Sequence, residues 1–146
     1  MNKILFITLS ISFLTLIGCA SNGPKILGDE KISQTEAFQK GLIRLDCAFS
    51  CSGKFGSNIK EMDALLYAHS WSDLAAKVME IGYGGDLTYY YLGRAAEGLG
   101  YVPAAKTYYG LSLKSDVTCE VMGMSNCQGH KFPSDINNHL LKLDAN

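Results

Sequence analysis

The sequence is poor in charge and has almost no charge imbalance. Charged residues make up 18% of its 146 positions, and thirteen Lys and Arg against fourteen Asp and Glu leave a formal net charge of −1. No basic surplus exists to neutralise phosphates, which argues against a nucleic-acid-binding role. Neither a polyacidic nor a polybasic run suggests a charged interaction tail. No apolar/polar alternation is long enough to claim a sheet. The sequence also lacks a nucleophile elbow, a helical zinc motif and a phosphate-binding loop. Gly82 to Gly85 follows a helical pattern rather than a strand, so that glycine cluster reads as a stop signal. The length allows one domain at most.

What is present begins at the N-terminus. Lys3 supplies a positive start, Ile4 to Ile17 is almost continuously apolar, and Gly18 places a small residue before Cys19. This pattern predicts a secretory signal over residues 1–18. The apolar run is too short for a secure membrane span, which needs ~20 residues. Without the signal the chain keeps 128 residues with 12 basic and 14 acidic side chains, a net charge of −2. Such a chain can bury a modest core. Residues 19–32 then read as a flexible tether, polar from Asn22-Gly23-Pro24, and residues 33–146 as the folded domain.

Leu16-Ile17-Gly18-Cys19 at the end of the apolar run resembles the lipobox of bacterial lipoproteins. The resemblance implies cleavage before Cys19 and its modification with diacylglycerol and an amide-linked acyl chain such as palmitate. Several acyl chains at ~0.8 kcal/mol per buried CH₂ make such an anchor essentially permanent. Ala20 and Ser21 follow, with no Asp beside the cysteine. In Gram-negative lipoproteins that pattern implies a lipid anchor in the outer membrane, facing the periplasm.

Cys47, Cys51, Cys119 and Cys127 remain, and an even number in an exported chain predicts two disulfides with three possible connectivities. A zinc site built from these cysteines, with His130 nearby, is the sharper alternative. Its spacings are not the short knuckles of common zinc modules, and the compartment is oxidising.

Ser33-Gln34-Thr35-Glu36 has the form of a capping box, and Ala37, Phe38, Leu42, Ile43 and Leu45 follow at roughly helical intervals. The spacing predicts a first helix over Gln34–Cys47. Ser50 to Ser57 is rich in Ser and Gly and reads as a loop. Ile59, Met62, Leu65 and Leu66 mark a second helix, and a third starts at Ser70 and stops at Gly82. Leu87–Gly98 and Ala104–Leu113 make two more, with Pro103 suited to a first turn. Thr118–Gly129 reads as a loop bracketed by cysteines, followed by a short terminal helix through Ile136, Leu140, Leu141 and Leu143.

Tyr89, Leu92-Gly93, Ala105, Tyr109 and Ser112 look like the aromatic and small positions of a tetratricopeptide repeat. A related repeat, at whose glycine turn Gly98-Leu99-Gly100 hints, inserts more residues before the second-helix alanine, so the shorter repeat fits better. Ala96 replaces the usual large aromatic, Ser112 replaces Ala and Val117 replaces Pro. The resemblance implies an all-α fold, a short right-handed stack of antiparallel helical hairpins. One repeat cannot bury its own apolar face, so disulfides are expected to staple the ends. Helices stack ~8–10 Å apart, whereas a disulfide needs Cα atoms closer than ~7 Å. Residues 47 and 119 belong to opposite ends, which favours the local pairs Cys47–Cys51 and Cys119–Cys127.

In this repeat family the first helices line a concave groove. Carried across, Leu87, Tyr90, Arg94 and Glu97 become the candidate partner-binding residues, with Tyr and Arg typical of interface hot spots. Tyr89 is assigned to the core, and His130 and His139 to the surface. The expected function is a non-enzymatic protein-interaction or assembly module for a protein or peptide partner in the cell envelope, without cofactor or catalytic residues. The rival is a small periplasmic enzyme or metal-binding protein, with His69 paired to Asp63 or Asp73, or with Cys and His ligands.

Overall fold

The computed structural model describes residues 24–28, 31–120 and 127–145; the signal segment 1–18 and Cys19 lie outside the described residues. In chain order the elements are β1 (Lys25–Ile26), α1 (Gln34–Gln39), β2 (Ile43–Arg44), a 3-10 turn (Phe49–Cys51), α2 (Ser52–Tyr67), α3 (Trp71–Ile81), α4 (Asp86–Gly98), α5 (Val102–Leu113) and α6 (Ser134–Asp144). The fold is mostly helical and carries two disulfides. Successive helices from α2 to α6 pack against one another, with α4 and α5 the most closely apposed pair.

Ser33 caps α1 as expected, its hydroxyl accepting the Glu36 N–H at 3.1 Å. The helix does not run on to Cys47. Gly41, at φ 72°, turns the chain in the left-handed region that favours glycine. Ile43, Leu45 and Cys47 then point into the core while Leu42, Arg44 and Asp46 are less buried. That period of two is a strand signature, and β2 pairs antiparallel with β1. The all-α expectation is therefore corrected by a short two-stranded ladder, and the stretch read as tether supplies one of its strands.

Residues 50–57, read as a loop, are mostly helical. Burial outweighs their Ser and Gly content: Phe55 is buried and stacks on Tyr83 at 4.7 Å between ring centroids. α3 ends at Gly82, φ 72°, whose N–H donates to the Val78 carbonyl. At the start of α4, Thr88 Oγ1 accepts the Gly85 N–H at 3.0 Å and donates to the Tyr83 carbonyl at 2.7 Å. Pro103 lies in the first turn of α5.

The core centres on α4. Gly93 lets the Tyr109 ring of α5 lie against the α4 backbone, so close that a Cβ there would sit 2.5 Å from Cε1. Ala104 and Ala105 are fully buried at the start of α5. Tyr89 ties the extended segment to α4, its hydroxyl accepting the Leu45 N–H at 2.9 Å and donating to the Leu45 carbonyl at 3.2 Å. Tyr108 stacks on Phe38 and donates to its carbonyl at 3.0 Å.

Cys47 is bonded to Cys51 and Cys119 to Cys127, with Cα separations of 5.7 and 5.3 Å. Each bridge closes a local loop. The first lies between β2 and α2, and the second lies between α5 and α6.

Candidate functional site

The four residues expected to line a groove do not form an open one. They share a face of α4, but Leu87 is 1% exposed and Tyr90 2% exposed. For Tyr90 the cause is the C-terminal segment, which folds back over that part of the face. His130, Phe132 and His139 place their rings 4.7, 5.1 and 6.0 Å from the Tyr90 ring. A short helical stack ends in apolar and aromatic surface, and here the chain supplies its own cover. Tyr90 is buried under this cover, and Tyr89 and Tyr91 are buried as well, against the Leu45 segment and beside Asp63 of α2. His130 and His139, expected at the surface, keep only 11% and 15% of their side-chain area exposed.

Arg94 and Glu97 are half-buried and are engaged within the fold. Arg94 donates to the Tyr90 hydroxyl at 3.3 Å and lies over the Trp71 ring, 5.7 Å from its centroid. Glu97 accepts from the Tyr109 hydroxyl and lies 2.8 Å from His139 Nδ1. Burial by itself would raise the pKa of Glu97, but the contacts from His139 and Tyr109 and the charge of Arg94 hold it below the usual carboxylate range. Burial pushes His130 down, against the pull of Asp63 and Asp135. Tyr91 donates to Asp63 at 2.5 Å. These groups form a polar–aromatic seam that seals the C-terminal segment onto α4.

Two residues of the rival reading have other partners. Asp63 is engaged by Tyr91, whereas His69 stacks on Trp71 at 4.9 Å. The four cysteine sulfurs are bonded in pairs, which overturns a zinc site built on their thiolates. Among the described residues, no group of three or more His, Cys, Asp or Glu side chains is placed to hold a metal ion.

A small apolar cleft lies at the N-terminal end of α4. It has a volume of about 170 Å³, and its walls include Phe55 and Ile59 from α2, Tyr83 and Leu87 from either side of the α4 start, and Val117. Leu87 is thus the groove candidate that borders this cleft. Asp86 and Cys119 also border it. The Asp86 carboxylate is 8% exposed and is already occupied, accepting the Leu87 N–H at 2.6 Å and the Cys119 N–H at 3.0 and 3.1 Å. Burial raises its pKa despite those donors. Chemically, the cleft offers an apolar socket with an internally satisfied carboxylate at its edge.

Ile59, Tyr83 and Val117 were not legible as site residues. Ile59 reads as one of several apolar positions on a helix face, and Val117 follows the last strong periodicity. Tyr83 carried the available signal: an aromatic set among Gly82, Gly84 and Gly85 marks close backbone packing. A Cβ on Gly84 would collide with the Leu45 carbonyl.

Comparison of the chain with protein-family models, with curated proteins and with solved structures finds no match.

Proposed function

We propose that the chain is an exported lipoprotein whose helical domain, a short TPR-like stack, acts as a non-enzymatic protein-interaction module at the membrane. The signal and lipobox resemblance of residues 1–19 supports export, cleavage before Cys19 and lipid attachment there. The absence of Asp beside Cys19 supports the outer membrane and its periplasmic face. Among the described residues no helix is long and apolar enough to cross a membrane. The close α4–α5 pairing through Gly93 and Tyr109 supports the repeat-like hairpin.

The observation that carries the binding reading is the cleft bounded by Phe55, Ile59, Tyr83, Leu87 and Val117. At about 170 Å³ it falls below the ~300–1,000 Å³ of small-molecule sites. Its size suits a single anchoring side chain, and its lining is apolar and aromatic. A pocket filled by one anchor from a partner is the usual form of an interface hot spot. We therefore assign the partner contact to this cleft rather than to the covered face of Tyr90, Arg94 and Glu97.

Two experiments test the two halves. Cys19→Ser should leave the precursor unlipidated and uncleaved at Gly18 by mass spectrometry; normal maturation of that variant contradicts the lipoprotein reading. Capture of envelope proteins from detergent-solubilised membranes should be lost with Ile59→Glu and kept with Tyr67→Ser, an exposed position away from the cleft. Equal capture by both variants, each verified as folded by circular dichroism, contradicts the cleft assignment.

A further inference from the structure

The chain enters the fold beside the smaller disulfide ring. β1 is antiparallel to β2, with Lys25 opposite Arg44 and Ile26 opposite Ile43. Moving from β1 back toward the N-terminus therefore follows the direction in which β2 continues to Cys47. Lys25 Nζ, 2.5 Å from Asp46 Oδ2, pins that end. The Cys47–Cys51 bridge closes the next five residues into a ring, and its 3-10 turn sets Phe49 outward with 85% of its surface exposed.

The ring is braced. The Cys47 N–H donates to the Gly82 carbonyl at 3.2 Å, the Gly84 N–H donates to the Cys47 carbonyl at 2.9 Å, and Cys51 leads directly into α2. Phe49 is thus displayed from a held backbone, and contact with a surface costs little ordering. A single exposed apolar side chain means nothing by itself. Its position beside the tether does.

Five residues lead from Cys19 to Pro24, a stretch that spans at most roughly 18 Å when fully extended. A lipid on Cys19 therefore keeps Pro24 within that reach of the membrane surface, and with it the end of the fold that carries the ring. The neighbouring charges are paired: Lys25 with Asp46, and Lys54 with Glu80. Approach to lipid is then governed by the aromatic side chain rather than by net charge, and Phe suits the boundary between headgroups and acyl chains.

The geometry points to the Cys47–Cys51 ring as a membrane-contact element, in which Phe49 enters the phospholipid interface and fixes which way the domain faces. This rests on the lipid attachment at Cys19 proposed above. The tether makes a weak contact sufficient, because it holds the ring at a high effective concentration near the surface.

The test uses the lipidated protein extracted from membranes, with Phe49→Trp, reconstituted into vesicles of phosphatidylethanolamine and phosphatidylglycerol with or without brominated acyl chains. Phe49 is exposed, so the substitution leaves the core intact; the unsubstituted protein reports the background from Trp71. Brominated chains are expected to quench the introduced indole and to leave Trp71 emission unchanged. Flotation of the same vesicles reports the anchor separately. Flotation without quenching of the introduced indole overturns the contact while leaving the anchor standing. Quenching of Trp71 to the same degree overturns the orientation. Protein that fails to float overturns the anchor, and the contact falls with it.

Discussion

Replacing Gly93 by Ala tests whether α4 and α5 pack through a glycine. In a helix interior, Gly→Ala stabilises by about 1 kcal/mol through propensity alone. Gly110, in α5, has nothing within 4 Å of the position its Cβ would take, so Gly110→Ala should realise that gain. At Gly93 the added carbon would lie 2.5 and 2.6 Å from Tyr109 Cε1 and Cδ1. The Tyr109 ring cannot easily yield, being fully buried, hydrogen-bonded to Glu97 and stacked on His139 at 5.5 Å. Overpacking of this kind costs about 1–3 kcal/mol. The propensity gain is common to both variants and cancels, so Gly93→Ala should be less stable than Gly110→Ala by about 1–3 kcal/mol. For a chain of this size that separates their melting temperatures by ~4–12 °C. Urea unfolding followed by far-ultraviolet circular dichroism, with disulfides intact, gives both free energies. Equal stabilisation of the two variants would refute the close crossing of α4 and α5.

Three further outcomes follow from buried groups. Glu97→Ala leaves the buried Tyr109 hydroxyl without its acceptor and should cost about 1–3 kcal/mol in the same unfolding assay; a neutral result would show that the seam over α4 is not a stabilising network. Burial raises the pKa values of Tyr83, Tyr89, Tyr90, Tyr91, Tyr108 and Tyr109. A raised folded value gives stability that is complete below the unfolded tyrosine value of ~10 and is lost as pH rises above it. The phenolate absorbance of these six should therefore appear together with loss of helical signal, and ionisation of these tyrosines ahead of unfolding would contradict their burial. Cys119→Ser/Cys127→Ser opens a short loop and should lower stability by ~2.5 kcal/mol on chain-entropy grounds, read by denaturant titration, whereas an unchanged midpoint would mean that this staple does not support the C-terminal cover.

The helices with strong periodicity and clear stops were legible. α3 lies between Ser70 and Gly82, and α4 and α5 flank the turn before Pro103, because period and terminator agree there, although the Ser70 hydroxyl makes no capping hydrogen bond. The first helix was overextended because Leu42, Ile43 and Leu45 fit a helical interval as well as a strand; the alternation of Ile43, Leu45 and Cys47 was the competing signal, and Gly41 decided it. Residues 52–57 have loop composition but are made helical by Phe55 packing on Tyr83, a tertiary contact that local propensity cannot contain. The local disulfide pairs followed from the separation of the two ends of the chain. The groove assignment failed for a physical reason: repeat-family positions describe a first helix whose face stays open, whereas here the His130–Phe132 segment and α6 occupy it. No motif announces such a cover, because it depends on where an irregular segment folds back.

The cleft between α2 and α4 can be interrogated directly by placing a photoreactive benzophenone amino acid at position 59 in living cells, with position 67 as the comparison. Ile59 lines the cleft and Tyr67 is exposed on the same helix outside it. A discrete adduct with an envelope protein from position 59, absent from position 67, is the result predicted for an anchoring socket. Adducts of equal yield from both positions, or none from position 59, would contradict it.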